Sequence, residues 1–312
     1  MSFLFPEGAS TGDVVVFWIL AAMVTFFAVF TITRKNPVTA VMSLVATFFG
    51  LAAMYATLSA HFLAVLQVLV YAGAITVLFI FVVMILNREE VTPLSYRPLR
   101  VLGVLAGVYL FVKVVDIVAV GMPTVVPATP SDTFGTVAAV GDLLFRDFLY
   151  PFEAISILLL VAIVGGVVIS RSHQKEVAAN VAAAYRKQVH ELASHDYPGA
   201  PTSRRRKGTT RSAMPTIYYL ILSFGLFLIG TTGVLLRRNA LIVLMAIELQ
   251  LNGGNLALIA FSRQLGDLKG HVFAFLIIAL AAAEAAVGLA ILVGLFRGRQ
   301  TVNLDEITLM KR

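Results

Sequence analysis

Residues 240–262 read ALIVLMAIELQLNGGNLALIAFS, and this stretch decides the class of fold. It is long enough to cross a lipid bilayer as a helix, which takes roughly 17–25 residues. Only a helix suits such a segment, because in hydrocarbon a lone span must satisfy every backbone N–H and C=O group internally. Its one charged side chain, Glu248, stands near the middle, where a carboxylate is costly and is by default functional.

Further apolar segments of similar length lie on both sides of this stretch. Of its 312 residues, 59% are hydrophobic and 13% are charged, whereas soluble domains are about 45–50% apolar and about 25% charged. Segments long and apolar enough to span lie near 14–33, 38–60, 63–86, 99–121, 152–170, 216–236, 240–262 and 272–296. The sequence therefore predicts an all-α integral membrane protein with about eight transmembrane helices, arranged as five plus three.

A polar, basic stretch at 172–213 separates a five-helix part (1–171) from a three-helix part (214–312). Nine Lys/Arg residues and three acids from 171 to 213 give this stretch a charge of +6, nearly the whole net charge of +7. Beside apolar spans such a run is typical of a cytoplasmic loop, so we interpret it as a cytoplasmic linker and not as a nucleic-acid site. The positive-inside rule then predicts different sides of the membrane for the end of the linker and for the beginning of the three-helix part. The linker delivers residue 214 inside, but three spans with Arg237 and Arg238 inside require it outside.

No cofactor or metal site is predicted in this chain. It has no cysteine, and its five histidines are scattered, which disfavours haem, iron–sulfur and zinc sites. It also has no phosphate-binding glycine loop, zinc-protease helix or nucleophile elbow. Chemistry that needs a redox group is therefore expected to belong to other chains.

Two glutamates within spans are the main candidate functional residues. Glu248 lies near the middle of the seventh span, and Glu284 lies at the middle of the eighth, within the run Ala281-Ala282-Ala283-Glu284-Ala285. Similar depth on consecutive antiparallel helices lets the two acids face each other or a common file of water. A buried carboxyl group can take up and release a proton. The alternative is a protonated glutamate that only forms a hydrogen bond between helices.

Other polar residues near the spans are weaker candidates. Gln67 lies one turn inside the third span, and Gly73 in the same span is a place for a kink or a bulge. Glu153 stands at the mouth of the fifth span, where it is either functional or simply solvated. His61 and His271 lie at span ends, where we expect a solvated histidine.

Several motifs resemble two membrane subunits of the proton-pumping NADH–quinone oxidoreductase, respiratory complex I. The segments HFLAVLQ (61–67), VYAGAI (70–75) and LFIFVVM (78–84) resemble the third helix of the J-type subunit, and NPV (36–38) and PFE (151–153) also fit it. Five further features resemble the K-type subunit: GVLLRRN (233–239), IEL (247–249), Asn252, AAAEA (281–285) and VNLD (302–305). The resemblance covers all but the linker and the extreme N-terminus, and it implies a J–K fusion.

The resemblance implies specific roles. Glu248 and Glu284 match acids of the intramembrane proton relay, and Arg237 and Arg238 match a loop important for coupling. Tyr71 and Gly73 match positions where the family's helix changes between α and π geometry and so opens or closes a water path. Where some members carry glutamate this chain has Gln67, which argues against a charge-bearing role there.

It further implies that flavin, iron–sulfur clusters, NADH and quinone are bound by partner subunits. Partners would include the quinone-site and antiporter-like subunits of the membrane arm, in a bacterial inner (plasma) membrane. Three alternatives stay open: a related ferredoxin- or F420-linked energy-converting complex, a multi-subunit cation/proton antiporter, and a purely structural scaffold. Neutralising both glutamates would leave pumping intact only in the scaffold. Whether the mature protein is one polypeptide or two also stays open, because residue 214 begins Met214-Pro215-Thr216, which resembles a subunit's own start.

Overall fold

The computed structural model describes residues 10–86, 133–170, 214–299 and 301–304, with five isolated positions between 105 and 113. The regular elements of these residues are α1 (Thr11–Thr33), α2 (Pro37–Thr57), α3 (His61–Leu86), α4 (Val137–Arg146), α5 (Leu149–Ser170), α6 (Thr216–Leu236), α7 (Ala240–Leu265) and α8 (Lys269–Arg299). Helix α3 is α-helical over His61–Leu66 and Thr76–Leu86, with a π-helical segment at Gln67–Ile75 between them.

Seven of these helices, all but α4, are long and apolar enough to cross a membrane. They coincide with seven of the eight predicted spans, so the prediction of an all-α membrane protein is confirmed. The other predicted span, 99–121, lies largely outside the described residues. Its positions 105, 108, 109, 112 and 113 are described, and all five are helical.

Small residues bring α6 and α7 into close contact. A Cβ atom on Gly230 would lie 2.6 Å from the Ala246 carbonyl oxygen, and one on Gly253 would lie 2.9 Å from the Ser223 carbonyl oxygen. The Ser223 hydroxyl also donates a hydrogen bond of 2.7 Å to the Gly253 carbonyl. Without a hydrophobic drive between helices in lipid, such close approach and interhelical hydrogen bonds hold a pair together. Helices α6 and α7 therefore form a tight antiparallel hairpin.

The five-helix and three-helix parts share one core. The Phe17 ring of α1 packs edge-on against Tyr219 of α6, with the ring centroids 4.9 Å apart. The Tyr219 hydroxyl is 3.0 Å from the Thr57 hydroxyl at the end of α2. Buried apolar side chains from α1, α2, α3, α6, α7 and α8 belong to a single hydrophobic cluster. The two parts therefore fold against each other as one body.

The bundle has two ends, which we call the Tyr219 end and the Arg237 end. At the Tyr219 end, the beginning of α6 meets the end of α2, and Arg263 near the end of α7 donates to the Ser59 hydroxyl. At the Arg237 end, Arg237 follows α6 and donates to the Ile32 carbonyl near the end of α1. The C-terminal segment lies at this same end, because the Val302 carbonyl accepts from the Ala240 amide at 3.0 Å.

Helix α4 was not predicted, because it is too short to span and lies between the predicted spans 99–121 and 152–170. Thr136 caps its N-terminus, and Val140 and Leu144, one turn apart, are buried. Before it, Gly135 has φ +71° and lies so close to the Ser59 carbonyl that a Cβ atom would collide with it. Glycine is therefore required where this loop crosses the Tyr219 end.

The expectation of a solvated His271 is wrong. The imidazole is fully buried, its Nδ1 lies 2.7 Å from the Ser262 hydroxyl, and Phe134 packs edge-on against it at 5.1 Å between centroids. The loop before α4 covers the beginning of α8, which a span-by-span reading of the sequence could not show. His61, in contrast, is exposed as expected.

Candidate proton-relay site

Glu248 is buried in the middle of α7. Its side chain is 3% exposed, and it is the only acidic residue in the buried class among the residues that the structure describes. One carboxylate oxygen, Oε2, is buried without a hydrogen-bond partner there. Because nearly all buried polar atoms in folded proteins are hydrogen-bonded, this oxygen is positioned to accept from, or give a proton to, a further group.

A short chain of amides ties α7 to the π-helical segment of α3. The Gln67 Nε2 donates a hydrogen bond of 2.7 Å to the Asn252 Oδ1, and both side chains are fully buried. The Asn252 Nδ2 in turn donates a bond of 2.9 Å to the backbone carbonyl of Glu248. The Gln67–Asn252 bond joins α3 to α7, and Glu248 lies one turn from Asn252 on the same face of α7, so the Glu248 side chain faces the π-helical segment.

Tyr71 stands beside Glu248 in the same buried region. The Tyr71 hydroxyl interacts electrostatically with the Glu248 carboxylate and with the Tyr55 hydroxyl of α2. The Tyr71 ring packs on Phe48 at 4.9 Å between centroids, and its hydroxyl is buried beside Glu248 and Asn252. We call Gln67, Tyr71, Glu248 and Asn252 the polar cluster. The structure thus brings together the predicted Tyr71 and Glu248.

Gly73 lies in the π-helical segment, where the sequence predicted a kink or a bulge. A Cβ atom at this position would lie 3.3 Å from the Val68 carbonyl oxygen, which is tighter than ordinary contact. The Thr76 hydroxyl donates a bond of 2.6 Å to the Tyr71 carbonyl, five residues earlier, which helps to satisfy a carbonyl in the widened helix. The bulge is therefore present, and it positions Tyr71 of the polar cluster.

Glu284 is placed differently from Glu248. The two carboxylates interact electrostatically, in line with the predicted similar depth, but the Glu284 side chain is exposed on α8. The neighbouring Ala281 and Ala285 face inward and are buried. A carboxylate in mid-span is costly against lipid. Glu284 is therefore at the edge of the described bundle, one step outward from Glu248.

Arg237 and Arg238 do not belong to the polar cluster. Arg237 is 8% exposed, its Nε donates to the Ile32 carbonyl, and burial lowers the pKa of its guanidinium from the ordinary value. Next to it, the Asn239 side chain caps α7 by accepting from the Leu241 amide at 2.9 Å. Eight helical residues, Ala240 to Ile247, separate this loop from Glu248, which is about 12 Å along the axis. The loop thus joins α1, α6 and α7 at the Arg237 end.

Glu153 is exposed near the beginning of α5 and is not brought to the polar cluster. Two buried residues of the region were missed from the sequence as site candidates: Tyr55, and Asn255, whose amide atoms have no partner within the described residues. A signal for Asn255 exists, since Glu248, Asn252 and Asn255 are spaced by four and three residues and so share one helix face. Tyr55 has no such signal, because only the packing of α2 against α3 brings it near.

Two family comparisons match the two parts of the chain. The family described as NADH-ubiquinone/plastoquinone oxidoreductase chain 6 matches residues 27–169, and the family described as chain 4L of the same enzyme matches residues 218–312. Curated relatives resemble the second part. NADH-quinone oxidoreductase subunit K of Anaeromyxobacter sp. (strain Fw109-5) is 57% identical over 94 residues, covering 30% of this chain and 94% of that protein. The subunit K of Myxococcus xanthus (strain DK1622) is 53% identical over 98 residues, covering 31% of this chain and 98% of that protein. The subunit K of Deinococcus radiodurans is 49% identical over 98 residues, covering 31% of this chain and 95% of that protein.

Proposed function

The chain belongs to the subunit J and subunit K families of NADH-quinone oxidoreductase, joined in one sequence, and from this premise we propose that it carries part of the intramembrane proton relay of that enzyme. The observation that carries the proposal is the buried Glu248 carboxylate, held against the π-helical segment of α3 with one oxygen available to exchange a proton. It is a multi-pass membrane protein, and we place it in a bacterial inner (plasma) membrane.

In the proposed relay, a proton passes between the Glu284 carboxylate at the edge of the bundle and the Glu248 carboxylate within it. The two carboxylates lie on the neighbouring helices α7 and α8 and interact electrostatically. Because Glu284 is exposed on α8, we expect a neighbouring membrane-arm subunit to cover it. NADH oxidation and quinone reduction would take place in partner subunits, which bind the flavin, iron–sulfur clusters, NADH and quinone.

The Tyr71 hydroxyl is the proposed contact between the relay and its gate. It is carried by the π-helical segment, so a change of that segment to α geometry would rotate Tyr71 away from Glu248. A π turn is a costly local geometry that is often found at functional sites. We propose that this change connects and disconnects the proton path, while Gln67 and Asn252 hold α3 and α7 in register.

The variant Glu248→Gln tests the relay. Glutamine keeps the volume and hydrogen bonding of glutamate but cannot ionise. We expect proton uptake and electron transfer from NADH to quinone in inverted membrane vesicles to fall together by about tenfold or more. Asp142→Asn is the matched control, since Asp142 is exposed and pairs with Arg146 of its own helix. Wild-type pumping by an assembled Glu248→Gln complex would show that the glutamate only packs and bonds.

The variant Gly73→Val tests the gate. A Cβ atom crowds the Val68 carbonyl and biases the segment against π geometry by about 1 kcal/mol, which changes the population about fivefold. We expect NADH-driven proton uptake to slow by a similar factor while the complex stays assembled. Ala74→Val in the same segment is the control, because Ala74 is exposed. Equal rates for the two variants would contradict a gate at Gly73.

A further inference from the structure

Helix α5 ends and helix α6 begins at opposite ends of the bundle. Phe148, just before α5, packs on Phe273 near the beginning of α8, with ring centroids 5.4 Å apart. At the other end of α5, Ile169 lies 3.5 Å from the position of a Cβ atom on Gly294, near the end of α8. Helix α5 therefore runs parallel to α8 and ends at the Arg237 end, whereas Tyr219 near the beginning of α6 lies at the Tyr219 end.

The distribution of charged residues between the two ends indicates which end is cytoplasmic. At the Arg237 end, the described residues include Arg34, Lys35, Arg237, Arg238 and Arg297 and no acid. The described part of the Tyr219 end has three basic residues, Arg146, Arg263 and Lys269, and it also has the acids Asp13, Asp142, Asp147 and Asp267. By the positive-inside rule the Arg237 end is cytoplasmic. A single polypeptide must therefore cross the membrane outward once more between Ser170 and Thr216.

The same chain shows what such a crossing requires. Helix α3 ends at the Arg237 end, and Gly135 lies at the Tyr219 end, where its carbonyl accepts from the Phe62 amide at 3.2 Å. A crossing between residues 86 and 133 is thus also needed. There the sequence supplies the apolar segment 99–121, which is long enough to span.

Between residues 171 and 213 no such segment exists. The stretch carries nine Lys/Arg residues and three acids, and its longest run without a charged residue is too short and polar to span. Length is not the obstacle, since 43 extended residues reach about 140 Å and the hydrocarbon core is about 30 Å thick. The obstacle is chemical, because lipid-exposed irregular backbone and a run of basic charges do not cross a bilayer.

We propose that the functional protein consists of two polypeptides, the second of which is translated from Met214. A chain that starts there has no basic segment before α6, so nothing opposes an external N-terminus. Met214 is 4% exposed and lies directly before Pro215, which caps α6. The two polypeptides are held together by contacts that need no covalent link, including Phe17 against Tyr219. The inference concerns the covalent chain and stands or falls independently of the proton relay.

The test uses the whole gene with an epitope tag after residue 312, expressed with its partner subunits. In the assembled complex, isolated from membranes, we expect denaturing gels to show a tagged species of about one third of the full 33.6 kDa, with Met214 as its first residue by mass spectrometry. A complex that contains only the full-length species would overturn the proposal. A small species with an earlier first residue would also overturn it, because it would indicate peptide-bond hydrolysis within the linker.

Two variants sharpen the test. Met214→Leu preserves packing but removes the start, so the small species and the assembled complex should both fall at least tenfold. Met245→Leu, a buried methionine of α7, is the matched control and should keep both. Adding an apolar helix of about 20 residues directly before residue 214 of the Met214→Leu chain should restore assembly as one polypeptide. Full assembly of Met214→Leu without that helix would contradict the topological argument.

Discussion

Replacing Glu248 and Glu284 together by glutamine is expected to lower NADH-driven proton uptake in inverted vesicles by about tenfold or more. The two carboxylates interact with each other, and both lie in mid-span. Because they act as one path, the double variant should lose little more than Glu248→Gln alone, and the effects of the two single changes should not add. The scaffold hypothesis makes the opposite prediction, since amides at both positions would keep the packing and leave pumping intact.

This experiment depends on comparing variants in complexes that are assembled equally. The amount of complex is measured on native gels, and electron transfer to an artificial acceptor that bypasses quinone reports on the partner subunits alone. That activity should be unchanged in the double variant. If the rate of NADH-driven proton uptake stayed at the wild-type value, Glu248 and Glu284 would not carry protons.

Replacing Gly230 by leucine is expected to prevent assembly of the complex. A Cβ atom at this position would lie 2.6 Å from the Ala246 carbonyl oxygen and 3.0 Å from the Gln250 amide nitrogen. Both atoms are backbone, so the larger side chain can be accommodated only by moving α6 away from α7. Overpacking of this kind costs about 1–3 kcal/mol and sometimes more. The same movement displaces Glu248, so any complex that does form should also pump poorly.

Gly225→Leu is the matched control on the same helix. Nothing in the described bundle lies within 4 Å of a Cβ atom at Gly225, so this position leaves room where Gly230 leaves none. On native gels, Gly225→Leu should assemble within about a factor of two of wild type, and Gly230→Leu should give no detectable complex. Similar assembly of the two variants would show that the α6–α7 contact tolerates a larger separation than the structure implies.

Much of the architecture was predictable because lipid restricts what a sequence can do. Each described span coincides with an apolar segment, and helix ends follow local signals such as Asn36-Pro37 at the start of α2 and Gly266, with φ +64°, at the end of α7. Helix α4 escaped prediction because a short amphipathic helix is shaped by the bundle end that it covers. His271 was misjudged for the same reason.

The site was predictable in part. A carboxylate in mid-span identified Glu248 and Glu284, and a glycine within α3 indicated the bulge. The sequence could not show that Glu248 is buried and Glu284 exposed, because the two differ only in which face of α7 and α8 the neighbouring helices cover. Nor could it show that Gln67 bonds to Asn252, since these residues come from different parts of the chain.

The sequence by itself therefore determined that this protein lies in a lipid bilayer, about how many spans it has, and which residue types can hold a proton in mid-membrane. These follow from the free energy of placing each residue in lipid, which depends on composition and local order. The tertiary structure alone decided which polar side chains meet, where α3 widens to present Tyr71, and at which end of the bundle each helix begins. Those properties depend on contacts between helices distant in sequence, such as Thr57 with Tyr219 and Gln67 with Asn252.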